Sequence, residues 1–114
     1  MAKKFKRPWG YYEVLSDAPD HKVKRIIVYP SGRLSLQSHK LRSEHWFIVS
    51  GEGMALVDDK KHLLKAGCVL DIPCKARHRV QNSSDKNLVI IEVQTGKYFG
   101  EDDIQRFEDD YGRT

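Results

Sequence analysis

Three stretches of the chain carry side chains that can ligate a divalent metal ion. Gln37 and His39 are two residues apart, so they share one face if this stretch is a strand. Glu44 begins the next apolar stretch, and His78 begins a later one. Two imidazoles, a carboxylate and an amide oxygen form a nitrogen and oxygen set that suits a divalent transition metal. A single histidine at a strand end is more often a surface or hydrogen-bonded residue, so only the set of four carries the prediction of a metal site.

The segments that contain these candidate ligands are predicted to be β-strands. Short runs rich in β-branched and aromatic residues alternate with clusters of Gly, Pro, Asn, Asp and Ser, a pattern typical of an all-β sandwich or barrel. Residues 100–110 predict a short C-terminal helix instead, because acidic residues are enriched in the first turn and Ile104 and Phe107 are three apart. Nine strands are predicted, at residues 10–15, 23–29, 34–39, 45–49, 54–57, 61–64, 69–72, 78–81 and 88–93.

The composition indicates one domain spanning residues 1–114 and a small anionic ligand. The net charge is +4, although residues 99–114 are acidic. The Lys and Arg residues are scattered and accompany no aromatic-basic motif, which favours a phosphorylated small molecule over nucleic acid. No apolar stretch approaches the roughly 20 residues needed to span a bilayer, so we expect a cytoplasmic protein with no membrane partner.

Two spacings in the chain resemble the two sequence motifs of the cupin superfamily. In the first, His39 takes the place of the first histidine, and Glu44 is followed by six residues and Gly51. In the second, Gly67, Pro73, His78 and Asn82 are separated by five, four and three residues. The resemblance implies a single jelly-roll barrel of the cupin type.

Longer segments are similar to one branch of that superfamily, the C-terminal domain of type II mannose-6-phosphate isomerases, which is often fused to a GDP-mannose pyrophosphorylase. The similarity covers nearly the whole chain. Nothing in the 114 residues resembles the pyrophosphorylase half, so we do not expect that activity here. The segments that carry the resemblance are residues 7–13, 22–26, 33–39, 42–46 and 98–113.

The resemblance implies a metal-dependent aldose-ketose isomerase that interconverts mannose 6-phosphate and fructose 6-phosphate. Zn²⁺ is the expected ion, with Mn²⁺, Co²⁺, Ni²⁺ or Fe²⁺ as alternatives, and the metal would polarise the oxygens of the open-chain sugar. The general base stays unassigned, because His45 points to the face opposite Glu44 in a regular strand. The candidates for binding the substrate phosphate are Arg33, Lys40, Arg42, Lys75 and Arg113.

Departures from the family pattern leave other functions open. Lys40 and Leu41 stand where the family has further histidines, so Gln37 is expected to complete the ligand set, and Lys75 stands where it has glycine. A cupin that binds a sugar phosphate or nucleotide sugar without turnover is one alternative, and a cupin enzyme with a different substrate is another. The resemblance also implies a homodimer, for which residues 10–15 are a candidate edge strand.

Overall fold

A computed structural model describes residues 3–112, and this part of the chain forms β-strands and no helix. Within it, no helix is long and apolar enough to cross a membrane. Each of the nine predicted strands is confirmed, and two further strands lie at the ends of the described segment. The strands are β1 (Lys4–Arg7), β2 (Gly10–Asp17), β3 (His21–Val28), β4 (Leu36–Ser38), β5 (Arg42–Ser50), β6 (Glu52–Val57), β7 (Lys60–Lys65), β8 (Val69–Ile72), β9 (His78–Gln81), β10 (Leu88–Gly96) and β11 (Gln105–Glu108).

The strands form two sheets with antiparallel pairing. One sheet has six strands in the order β1-β2-β3-β10-β5-β8, and the other has five in the order β11-β4-β9-β6-β7. Along β5 and β10 the burial alternates with period two, as expected for strands with one face on a core. The buried core consists mainly of aliphatic and aromatic side chains from both sheets, among them Ile48, Val80, Leu88 and Ile90.

The predicted C-terminal helix is wrong. Residues 101–103 form turns and bends, and β11 follows, pairing with β4 through Gln105 opposite Ser38 and Arg106 opposite Gln37. An isolated helix of this length is marginal in water, whereas addition to a sheet supplies hydrogen bonds that extend across strands. Tertiary pairing therefore overrides the local preference.

The prediction that residues 10–15 form an edge strand is also wrong. β1 pairs along this stretch, with Phe5 opposite Tyr12 and Arg7 opposite Gly10, so β2 lies inside the sheet. Among the described residues, the edges of the six-stranded sheet are β1 and β8.

Candidate functional site

Three of the four predicted ligands converge between the two sheets. His39 follows β4, Glu44 lies in β5 and His78 opens β9, and all three are buried. Their potential ligand atoms lie within 4.8 Å of one another. The Nε2 atom of His39 is 3.2 Å from one carboxylate oxygen of Glu44, and Nε2 of His78 is 3.7 Å from the other.

Backbone carbonyls fix the protonation of both imidazoles. Nδ1 of His39 lies 2.7 Å from the carbonyl oxygen of Asp103, and Nδ1 of His78 lies 3.1 Å from that of Ala76. A carbonyl can only accept, so each Nδ1 carries the proton and each Nε2 presents its lone pair toward Glu44. Burial lowers the pKa of His39 to about 4, assisted by the positive charge of Arg42, and burial also lowers the pKa of His78. Both rings are therefore neutral at pH 7, as metal ligation requires.

The donor set fits a divalent transition metal. Two neutral imidazole nitrogens and one carboxylate are ligands that such metals accept, with coordination positions left for a fourth protein ligand or substrate. Gln37 lies directly opposite His78 in the sheet and lines the same cavity. Its amide nitrogen donates to the Ser35 hydroxyl, so its carbonyl oxygen is the atom that would ligate.

A hydrogen-bonded network of buried side chains also holds Glu44. The indole Nε1 of Trp46 donates to Glu44 at 3.1 Å and to Glu92 at 3.2 Å. The Gln94 side-chain amide donates to the other oxygen of Glu92. Burial, followed by the charge of Glu44, raises the pKa of Glu92 to about 7. Two acidic side chains are thus oriented by one indole in the wall of the site.

Arg42 supplies positive charge next to the three ligands. Its Nε lies 3.3 Å from Glu44, and its Nη2 lies 3.3 Å from Nε2 of His39. The same guanidinium reaches Glu101 with Nη1 at 3.9 Å. Arg42 therefore connects the ligand cluster to the C-terminal segment that passes over it.

These groups line one cavity of about 690 Å³, including the part that opens to solvent. Its wall combines apolar side chains such as Trp9 and Ile90 with charged ones from both sheets. A concave site with an apolar wall and a few converging polar groups is typical of a small-molecule site. Besides the two neutral histidines, the ionisable groups that line it are Arg7, Lys24, Arg42, Glu44, Arg79, Glu92, Glu101 and Arg106.

Only one of the described phosphate-binding candidates lines this cavity. Arg42 does, whereas Arg33, Lys40 and Lys75 do not. Arg33 makes a bidentate ion pair with Asp110, with one N–H···O distance of 2.8 Å. Lys40 and Lys75 are exposed. Arg113 lies outside the described residues.

Sequence reasoning missed several charged residues of the cavity wall. Lys24 in β3 and Glu92 in β10 lie opposite each other in the sheet, and both are buried. The period-two alternation of β10 could have identified Glu92, because Glu92 and Gln94 occupy the same inward-facing positions as Ile90 in a largely apolar strand. His45, in contrast, points outward as alternation predicts and binds Asp71.

Comparison with protein families gives one match that covers nearly the whole chain. The family described as mannose-6-phosphate isomerase C-terminal matches residues 1–109. Three curated relatives are the alginate biosynthesis protein AlgA of Pseudomonas aeruginosa, the xanthan biosynthesis protein XanB of Xanthomonas campestris and a mannose-1-phosphate guanylyltransferase of Escherichia coli, which are 49%, 46% and 43% identical. The matches cover 95%, 98% and 94% of this chain but only 22%, 24% and 23% of the relatives. The chain thus spans about a quarter of their length.

Solved structures share the fold at low sequence identity. The capsular polysaccharide assembling protein CapF of Staphylococcus aureus aligns with a TM-score of 0.83 at 22% identity, over 95% of this chain and 34% of that one. The cupin domain of Schizosaccharomyces pombe Cnp3 aligns with a TM-score of 0.71 at 11% identity, over 75% of this chain and 64% of that one. These likenesses show that the two sheets form a cupin fold.

Proposed function

The chain belongs to the mannose-6-phosphate isomerase C-terminal family, and we propose that it is a metal-dependent isomerase that interconverts mannose 6-phosphate and fructose 6-phosphate. The observation that carries the proposal is the buried convergence of His39, Glu44 and His78 in a cavity that also holds cationic side chains. Metal ligands and cations in one cavity suit a substrate that combines sugar oxygens with a phosphate.

In this proposal His39, Glu44 and His78 hold the metal, with Gln37 as the fourth ligand. Zn²⁺ is the first candidate, and Mn²⁺, Co²⁺, Ni²⁺ and Fe²⁺ are alternatives, because all accept imidazole and carboxylate. When bound, the ion would supply Lewis-acid polarisation of the carbonyl and hydroxyl oxygens at C1 and C2. The carbonyls of Asp103 and Ala76 keep the two imidazoles in the ligating tautomer.

Aldose-ketose interconversion also needs a group that carries a proton between C1 and C2. Three carboxylates line the cavity within the described part of the chain: Glu44, Glu92 and Glu101. Glu44 is assigned to the metal, and Glu101 is bound to Lys24 at 2.8 Å. Glu92 is therefore the proposed proton carrier, and Trp46 and Gln94 orient its two oxygens.

The names of the relatives support a role in polysaccharide biosynthesis. AlgA and XanB are named for alginate and xanthan, and the relative from Escherichia coli is named for a reaction of mannose 1-phosphate. A mannose phosphate substrate agrees with the name of the relative from Escherichia coli. We do not propose guanylyltransferase activity, because the matches cover only about a quarter of those proteins.

A second candidate is a cupin that binds a sugar phosphate or nucleotide sugar without turning it over. Lys40 and Leu41 favour it, because the family pattern that the sequence resembles has histidines at these two positions. Incubation of the purified protein with mannose 6-phosphate, followed by coupled detection of fructose 6-phosphate, separates the two. Product formation supports the isomerase, and saturable binding without product supports the binding protein.

A further inference from the structure

The carboxylate of Glu101 lies in a pocket of donors beside the metal ligands. Its Oε2 atom is 2.8 Å from Nζ of Lys24 and 3.9 Å from Nη1 of Arg42. Its Oε1 accepts a hydrogen bond from the Tyr12 hydroxyl at 3.3 Å. Arg7 donates to that same hydroxyl at 3.3 Å. Two cations and a hydroxyl thus converge on one anionic group.

The donors belong to the barrel, whereas the anion comes from a connecting segment. Lys24 and Tyr12 lie in β3 and β2, Arg42 lies in β5, and all three are buried. Glu101 lies in a turn between β10 and β11, and its side chain is 47% exposed. The cationic pocket is therefore part of the rigid sheet, and the group that neutralises it is attached to a surface turn.

A buried ammonium without a counter-anion is costly, so Lys24 needs an anion in this position. The side chain of Lys24 is 5% exposed, and its Nζ also lies 4.3 Å from the centre of the Tyr12 ring. In the described structure the only carboxylate within 4 Å of Nζ is that of Glu101. A phosphate offers three oxygens to the same donors, whereas a carboxylate offers two.

The distance from the metal ligands suits a sugar phosphate. The Arg42 guanidinium contacts Glu44 with Nε and faces Glu101 with Nη1, so one planar group separates the two sites. Lys24 lies two strands from β5 in the sheet, which is roughly 10 Å at the usual strand spacing. An open-chain hexose 6-phosphate with C1 and C2 at the ligand cluster has its phosphate on C6, several bonds away, which is compatible with a separation of two strands.

We propose that Lys24, Arg42 and Tyr12 form the binding site for the phosphate group of the substrate, and that Glu101 is an internal stand-in that this phosphate displaces. This inference rests on the proposed function for the identity of the sugar, but the anion site itself is independent of turnover. Glu101 keeps the cations neutralised and in place until the phosphate arrives. The turn that carries Glu101 must then move its carboxylate away from Lys24.

Titration calorimetry of metal-stripped protein with inorganic phosphate, at fixed ionic strength, tests the site without catalysis. Glu101→Gln keeps the size of the side chain but removes the competing charge, so phosphate should bind about tenfold more tightly than to the wild type. Glu13→Gln is the matched control, because it frees Arg25 from an ion pair of the same length, 2.8 Å, whose two residues do not line the cavity. No change in affinity is expected for this control.

Unchanged or weaker phosphate binding by Glu101→Gln would overturn the proposal, and so would an equal gain from Glu13→Gln. Mannose 6-phosphate should show the same gain in Glu101→Gln, whereas unphosphorylated mannose should show none. The binding and turnover measurements distinguish failure of the phosphate site from failure of the proposed isomerase function. Phosphate binding as expected without isomerisation removes only the proposed function, and isomerisation without the gain in phosphate affinity removes only the phosphate site.

Discussion

The backbone carbonyl of Asp103 lies 2.7 Å from Nδ1 of His39, so the segment between β10 and β11 orients one of the three candidate metal ligands. The side chain of the same residue accepts hydrogen bonds from the backbone nitrogens of Lys40 and Leu41, each at 3.0 Å. One aspartate therefore holds both the ring of His39 and the loop that follows it.

Replacing Asp103 should loosen this loop and weaken metal binding. We expect Asp103→Ala to lower metal affinity by about tenfold, the lower end for a residue that orients a ligand. Competition with a chelator measures the affinity. Asp102→Ala is the control, because Asp102 is exposed and accepts a hydrogen bond from Tyr98 instead. Equal losses in the two variants would mean that the contact with His39 is not the cause.

Trp46 orients Glu44 and Glu92 through a single N–H group. Trp46→Phe keeps an aromatic ring but removes that donor, leaving both buried carboxylates short of a hydrogen bond. We expect turnover to fall by about 10- to 100-fold. Trp9→Phe makes the same change in a second buried tryptophan of the cavity wall, whose indole donates to neither carboxylate. The loss of turnover in Trp46→Phe should be clearly larger than in Trp9→Phe, and equal losses would exclude the shared hydrogen bonds as the cause.

Lys75 has a backbone φ of 71°, in the left-handed region that non-glycine residues adopt at a cost. The family pattern that the sequence resembles has glycine at this position, and glycine adopts this conformation without steric cost. Lys75→Gly should stabilise the protein by about 1 kcal/mol. Urea denaturation measures the change. Lys61→Gly, in the regular strand β7, should instead destabilise it, and stabilisation by both would point to loss of charge as the cause.

The stability of the metal-stripped protein should depend on pH through His39. Burial lowers its folded-state pKa from 6.5 to about 4, so between these values the unfolded chain binds more protons than the folded one. Stability therefore falls as the pH decreases through this window, by about 2 kcal/mol at pH 5 relative to pH 8. Urea denaturation at the two pH values measures the effect. His39→Gln should reduce the difference, and an unchanged difference would assign it to other groups.

The sequence was sufficient to predict the strands and to single out His39, Glu44 and His78, which converge in the structure, because both predictions depend on local pattern. Alternation placed Gln37 and His39 on one face, and motif spacing brought Glu44 and His78 into the set. The structure also shows contacts between residues that are far apart in the sequence, which alternation along one strand cannot predict. Asp103 reaches His39 across 64 residues of sequence, and the contact depends on the path of the C-terminal segment.

The acidic C-terminal segment shows why the remainder was not predictable. Its acidic residues match a helix N-terminus, but Glu101 and Asp103 are used in contacts with the barrel. Arg33 lies beside the first motif in the sequence and was predicted to bind phosphate. In the structure it forms an ion pair with Asp110 and lies outside the cavity. Charge and spacing are the same for an arginine that binds substrate and one that binds a carboxylate, and only the fold distinguishes them.

In the proposed function, His39, Glu44 and His78 bind a metal that is needed for isomerisation. The direct measurement is the rate of fructose 6-phosphate formation from mannose 6-phosphate by protein stripped of metal and then resupplied with Zn²⁺, Mn²⁺, Co²⁺ or Ni²⁺. The same assay is applied to His78→Ala and to His45→Ala, whose histidine lies on the outer face of β5. Turnover should be lost on stripping, restored by at least one ion, abolished in His78→Ala and retained in His45→Ala. Turnover that survives complete metal removal, or that is equal in the two variants, would contradict it.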